Sequence, residues 1–284
     1  MKGFRLIWRK SVNMVMLTLT GVAAFAVVSV LFLILGYLVY YGGRSLNWNF
    51  FTQLPKPVGE TGGGMANAIV GSAKLLFLAA VIGLPIGLLG GVYLAEFGGK
   101  TFGFVVRYTT DLLNGVPSII MGIFAYSLVV VPMRHFSTLA GGVALGIMTI
   151  PISLRSTEEF LRAVPVSLRE GAMALGSNRW KTIATVVLPA ARGGIITGML
   201  LALARVAGET APLLFTAFGN QFWSPGWNQP ISSLPVVIYT YAISPYDDWH
   251  RQAWAAGLVL LGLVFVTNIV VRTFLMRGTS YERS

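Results

Sequence analysis

The chain has 284 residues, 55% of them hydrophobic and only 11% charged, and a mean hydropathy of +0.72. A water-soluble domain carries about 25% charged residues, so this composition excludes a chain whose only solvent is water and points to a bilayer. The absence of cysteine excludes disulfides and thiolate metal sites, and the two histidines, His135 and His250, lie far apart, which gives no basis for a metal centre. A net charge of +11 would suggest nucleic acid in a soluble protein, but here the basic residues lie between apolar segments, so topology explains them and no nucleic-acid partner is expected.

A helix crossing a hydrocarbon core needs roughly 20 mostly apolar residues, and six segments qualify. The first, Met14–Tyr40, is too long for the core of a cleaved signal and reads as a retained span. Residues 1–66 then comprise an N-terminal end, this span and a Gly- and Pro-rich outer loop over Gly42–Gly64. The second span, Ala66–Leu94, carries Lys74 two turns in, where the side chain is expected to snorkel outward. Asp111 and Asn114 precede the third span, Gly115–Met133, and Asn114–Pro117 predicts a turn that opens a helix. The fourth, Leu139–Leu154, is short like the third and rich in Gly and Pro, so both are expected to be broken or tilted. Met121 and Phe124 read as packing or lipid contacts. The fifth span is Gly193–Ala217 and the sixth Ala253–Phe274. Between them, Ile231–Ile243 is apolar but about 13 residues long, which suits a re-entrant or interfacial segment. Residues 67–277 thus form one membrane domain, followed by a tail over 278–284.

With the N-terminus inside, the inner segments hold fifteen basic residues and the outer ones four: Arg44, Lys56, Arg134 and Arg251. Lysine and arginine accumulate on the cytoplasmic side, so both termini are placed there. Tyr37, Tyr40, Tyr41 and Trp48 then form an outer aromatic belt, with Trp8 at the inner face. No GxxxxGK[ST] phosphate loop occurs, so any nucleotide chemistry belongs to another chain.

The longest inner loop, Arg155–Arg192, predicts a short helix over 168–176. Ser167 is its candidate N-cap, Glu170 falls in its first turn, where it suits the helix dipole, and Gly176 is its C-terminal cap. Trp180–Leu188 starts a second helix leading into span five. Within that span, Arg205 and Glu209 stand four residues apart, hence on one helical face. An arginine at this depth costs at least about 2.5–3.5 kcal/mol, so the two are expected to neutralise each other in part. Pro212 removes the amide that would bond Gly208, and predicts an opening of the helix beside the pair. The Arg205 guanidinium offers a planar donor fork that matches an oxyanion, which marks Arg205 and Glu209 as a candidate anion pathway. Arg155, at the inner end of span four, is a further candidate, although an arginine there is also what the positive-inside rule expects.

Glu170, Gly171 and Ala172, followed at fixed spacing by Gly176 and then by Val186, Leu188 and Pro189, resemble the E-A-A, three residues, G, nine residues, I-x-L-P signature of ATP-binding-cassette importer permeases. Gly171 and Val186 are the two departures. The stretches Asn114–Ile119, Arg155–Glu158 and Arg205–Leu214 are similar to the PstA-type permeases of the phosphate-uptake (Pst) system, and the similarity runs from about Met65 to Arg277. The resemblance implies an all-α membrane protein of six transmembrane helices with type I importer, MetI-like architecture. It implies that Leu168–Gly176 docks on a cytoplasmic ATPase, and that Arg155 belongs to the phosphate path. It further implies a PstC-type second permease, two copies of a PstB-type ATPase that alone uses ATP and Mg, a periplasmic PstS-type binding protein, and a bacterial inner-membrane location. The chain itself is then a transporter subunit, not an enzyme, with no cofactor of its own. Permeases for sulfate or molybdate share the docking signature, an ion-gradient-driven secondary transporter would need no ATPase, and a membrane scaffold would tolerate neutral residues at 205 and 209.

Overall fold

The computed structural model describes residues 2–60 and 62–276, with side chains described for 8–60 and 62–273. The tail at 278–284, Arg277, Arg283, and the side chains of Lys2 and Arg5 lie outside them. The described residues are helical: α1 (Lys2–Ser45), α2 (Trp48–Thr52), α3 (Ala66–Glu96), α4 (Lys100–Gly115), α5 (Ser118–Ala125), α6 (Val131–Met133), α7 (Thr138–Arg162), α8 (Val166–Ala174), α9 (Arg179–Thr182), α10 (Leu188–Ala207), α11 (Ala211–Thr216), α12 (Leu234–Ala242) and α13 (Asp247–Met276). Five helical stretches are long and apolar enough to cross a membrane. The pair Lys100–Gly115 and Ser118–Met133, bent by 105°, supplies the sixth as one broken span.

Several boundaries differ from the sequence reading, each for a local reason. Span four is an unbroken helix of 25 residues that carries Pro151 inside it and continues to Arg162, so Arg155 lies within it and not at its end. Span three begins fifteen residues early as α4 and turns at Val116–Pro117, because the residue before a proline is pushed out of the helical region. Span five stops at Ala207, with Gly208 as its C-cap, and the chain resumes as the separate α11 with Pro212 in its first turn. Two helical stretches widen into a π turn just ahead of a proline. At Tyr126–Val130 the Val131 amide bonds the Tyr126 carbonyl, and at Ile183–Val187 the Leu188 amide bonds that of Ile183. The wide turn shifts the carbonyl that the rings of Pro132 and Pro189 would otherwise strike.

The centre of the molecule is the α3–α7 pair. Gly83, Gly87 and Gly91 recur every four residues on α3, and a β-carbon there would come within 2.5–2.6 Å of Thr149, Ser153 and Thr157, themselves four apart on α7. Nearer the outer end the roles reverse, and Leu78 and Ile82 of α3 sit over Gly142 and Gly146 of α7. Small residues let backbones approach closely where no hydrophobic effect separates helix from lipid. Around this pair lie three apolar clusters. One, at the outer side, includes Phe50, Met65, Leu234, Tyr241 and Ala256. A middle one joins Leu75, Leu145, Val206 and Leu213. The third holds Leu161, Val187 and Ile195 near the start of α10.

The apolar outer segment is neither a span nor a surface ribbon. Its helix α12 is nine residues long and buries Leu234, Val236, Val237 and Tyr241. By contrast α1 packs on α13 near its outer end, where Gly42 faces Trp254 and Leu258 and Gly257 meets Leu38, while the apolar body of α1 is exposed. Tyr37, Tyr40, Tyr41, Trp48 and Trp8 are exposed, as the belts require.

Replacing Gly87 by leucine forces the α3 and α7 backbones apart, and overpacking of this kind costs about 1–3 kcal/mol. The purified protein should therefore melt several degrees lower, whereas Gly21→Leu on α1, where nothing lies within 4 Å, should leave the melting temperature unchanged.

Candidate functional site

Helix α7 carries a stripe of Met148, Ile152, Arg155 and Glu159, spaced three or four apart and hence on one face. This face meets α4 and the α4–α5 bend. Arg155 lies 3.4 Å from Glu159, 3.8 Å from Asp111 of α4 and 3.2 Å from Glu158. Glu158 is 1% exposed and is the best-buried charge among the described residues. Its Oε1 accepts from Arg107 Nε of α4 at 2.6 Å and faces Arg162 Nη2 at 3.0 Å; its Oε2 faces Arg155. A carboxylate buried without partners would be strongly disfavoured, and three guanidinium groups meet that requirement here.

Arg205 is exposed and borders a narrow cleft with Leu113, Asn114, Val116, Met121, Met148 and Ile152. Met148 and Ile152 lie near the middle of α7, so Arg205 stands at mid-depth. At 1.5 Å per residue, Arg155 follows about 5–10 Å further along α7. The cleft thus brings together Asn114, the bend at Val116–Pro117 and Arg205, which are far apart in the chain.

The expected pair of Arg205 with Glu209 does not form. Helix α10 ends at Ala207, the Gly208 and Glu209 amides bond the carbonyls of Arg205 and Val206, and Glu209 leaves the helical face that four-residue spacing assumed. Among the described residues, no carboxylate lies within 4.0 Å of Arg205. The predicted opening at Gly208 is present, and it is this opening that separates the two charges.

The inner-loop helix is α8, shifted two residues toward the N-terminus of the expected 168–176. Pro165 and not Ser167 is its N-cap, so Ser167 is inside the helix and Glu170 is past the first turn. Proline is suited to this entry because its φ is already set near the helical value. Gly176 adopts φ +84°, while its amide bonds Met173 and that of Ser177 bonds Ala172, a complete Schellman ending. Gly171 and Ala172 face outward, with open space around Gly171, and Leu175 is 91% exposed. Arg169 ties α8 back to the bundle, donating to Glu96 Oε1 at 2.9 Å and to the carbonyls of Leu161 and Val164 at 2.7 Å. Leu188 and Pro189 begin α10 directly after the second π turn.

Lys74 has a structural assignment. It donates to the Ser224 and Pro225 carbonyls at 2.8 and 3.1 Å and lies 5.5 Å from the Trp227 ring, fastening the outer loop. Glu158 and Arg107 were the residues that sequence reasoning missed. Glu158 had a signal, since it stands three after Arg155 and four before Arg162 on one helix. Arg107 is 51 residues away and had none.

Residues 83–277 match the family model described as "Binding-protein-dependent transport system inner membrane component". The chain is 44% identical to the phosphate transport system permease protein PstA of Yersinia pestis, covering 93% of this chain and 90% of that one. It is 44% identical to the PstA of Haemophilus influenzae, covering 96% and 97%. The probable PstA of Methanocaldococcus jannaschii is 40% identical over 74% of this chain and 75% of its own. Among solved structures, the MetNI methionine ABC transporter in an inward-facing form is similar with a TM-score of 0.55 at 20% identity, covering 73% of this chain and 92% of that one. A bacterial ABC transporter involved in importing the polysaccharide alginate is similar at TM-score 0.55 and 14% identity, covering 87% and 89%. With its type I importer helix arrangement and these relatives, the chain belongs to the binding-protein-dependent transport system inner-membrane component family.

Proposed function

We propose that the chain is the permease subunit of an ATP-driven importer for inorganic phosphate, and that the anion passes along the α7 stripe from Arg205 to Arg155. The observation that carries this reading is Arg205. It is a permanently charged fork at mid-depth, open to a cleft, with no carboxylate within 4.0 Å among the described residues. A guanidinium placed so deep is costly unless an anion shares the site, and its planar donors suit a tetrahedral oxyanion. Arg155, one to two turns deeper toward the inner face, offers the next station. Its contacts of 3.2–3.8 Å are divided among three carboxylates, two of them exposed, so it can exchange them for a passing anion. Glu209, displaced from Arg205, stands at the opening at Gly208, where it disfavours a second anion. The names of the PstA relatives support phosphate as the substrate in preference to sulfate or molybdate.

The exposed α8, with Leu175 outermost, is the docking element for a cytoplasmic ATPase, and Glu170, Gly171, Ala172, Gly176, Leu188 and Pro189 are its signature residues. ATP and Mg are used in that partner and not here. The remaining assembly is a PstC-type second permease, two PstB-type ATPases and a PstS-type binding protein, with both termini of this chain in the cytoplasm of a bacterial inner-membrane complex.

Replacing Arg205 by glutamine removes charge-assisted hydrogen bonds worth about 1.5–3 kcal/mol, so phosphate uptake into vesicles should fall about ten- to a hundredfold with the complex still assembled. Uptake at the normal rate would remove Arg205 from the path, and competition by sulfate or molybdate equal to that by phosphate would change the substrate. Replacing Gly176 by valine puts a β-branched residue at φ +84°, a cost of about 1–2 kcal/mol that should weaken ATPase co-purification roughly tenfold.

A further inference from the structure

Arg107 is the one guanidinium of the Glu158 cluster that is held from three sides. Its Nε meets Glu158 Oε1 at 2.6 Å and its Nη2 donates to the Leu94 carbonyl of α3 at 3.3 Å. A β-carbon on Gly103 would lie 3.1 Å from its Nη1, so the α4 backbone closes the remaining side. Arg107 is 22% exposed, whereas Arg155 is 35% and Arg162 52% exposed. Arg155, unlike Arg107, makes no contact shorter than 3.2 Å to any of its three carboxylates. The cluster as a whole holds three arginines against Glu158, Glu159 and Asp111, but only Glu158 is deeply buried.

A buried carboxylate keeps whatever counter-ion it has, because losing the last one strands a charge in low dielectric. With Arg107 fixed and Arg162 beside it, Glu158 remains compensated when Arg155 turns away. We infer that Arg107 is a positioning residue for translocation: by acting as the standing counter-ion of Glu158, it releases Arg155 to take the anion. The inference rests on the reading of Arg155 as a station on the phosphate path. Without Arg107, Glu158 depends on Arg155, which then stays with the protein instead of meeting phosphate.

The test uses the complete importer, with its second permease, ATPase and binding protein, reconstituted in vesicles, and measures maximal phosphate uptake and ATP hydrolysis at saturating binding protein. R107Q should lower maximal uptake about tenfold or more, since the buried carboxylate now holds Arg155, and should lower phosphate moved per ATP. R107K, which keeps the charge, should retain most of the uptake. The double variant R107Q/E158Q should transport faster than R107Q alone, because no carboxylate remains to capture Arg155. A purely structural fastening of α4 to α7 gives the opposite pattern, with R107K as impaired as R107Q and the double variant no better. That pattern, or normal uptake in R107Q, overturns the inference. R155Q separates the two levels. Normal uptake in R155Q removes the phosphate path itself, whereas lost uptake in R155Q beside normal uptake in R107Q removes only the role of Arg107.

Discussion

The close approach of α3 and α7 is the constraint on which the rest depends. Three glycines at four-residue spacing receive two threonines and a serine, and two further glycines on α7 receive a leucine and an isoleucine. In lipid there is no aqueous phase between helices to drive them together, so shape decides whether two spans behave as one body. Because α3 and α7 do, Leu94 and Glu96 at the end of α3 have fixed positions relative to the last turns of α7. Arg107 can bridge Leu94 to Glu158, and Arg169 can bridge Glu96 to the carbonyls of Leu161 and Val164. Both the charged cluster and the root of the inner-loop helix are thus mounted on the same pair.

That arrangement links the two ends of the proposed mechanism. A push on α8 reaches α3 and α7 through Arg169, and the same two helices carry Arg155. Helix α10, which brings Arg205, starts beyond the loop from α8 and packs on α7 through the middle cluster. Rigid short elements that move as units are the usual means by which a small displacement at one face becomes a change of access at another.

Much of this was legible in the residues. Span number followed from apolar length, the end of α8 from Gly176, and the opening near Gly208 from Pro212. Charge pairing was the weak point. Four-residue spacing puts Arg205 and Glu209 together only if the helix continues, and the same sequence that predicts the opening at Gly208 denies that continuity. Span four was cut short because Arg155, Glu158 and Arg162 looked like the end of an apolar segment, although on a helix they share a face and one carboxylate satisfies all three. The Arg107 contact spans 51 residues and depends on the fold of α4 under α7, which no local pattern encodes.

The π turn at Ile183–Val187 has a consequence for inheritance as well as for shape. A wide turn holds one residue more than an ordinary helical path would need, so it acts as an angular offset for everything that follows. Deleting a single codon there would return the segment to standard winding and rotate the rest of α10 by about 100°. Arg205 would then point away from Asn114 and Ile152 even though every downstream residue was unchanged. The length of this short stretch is therefore under as much constraint as the identity of the arginine it aims.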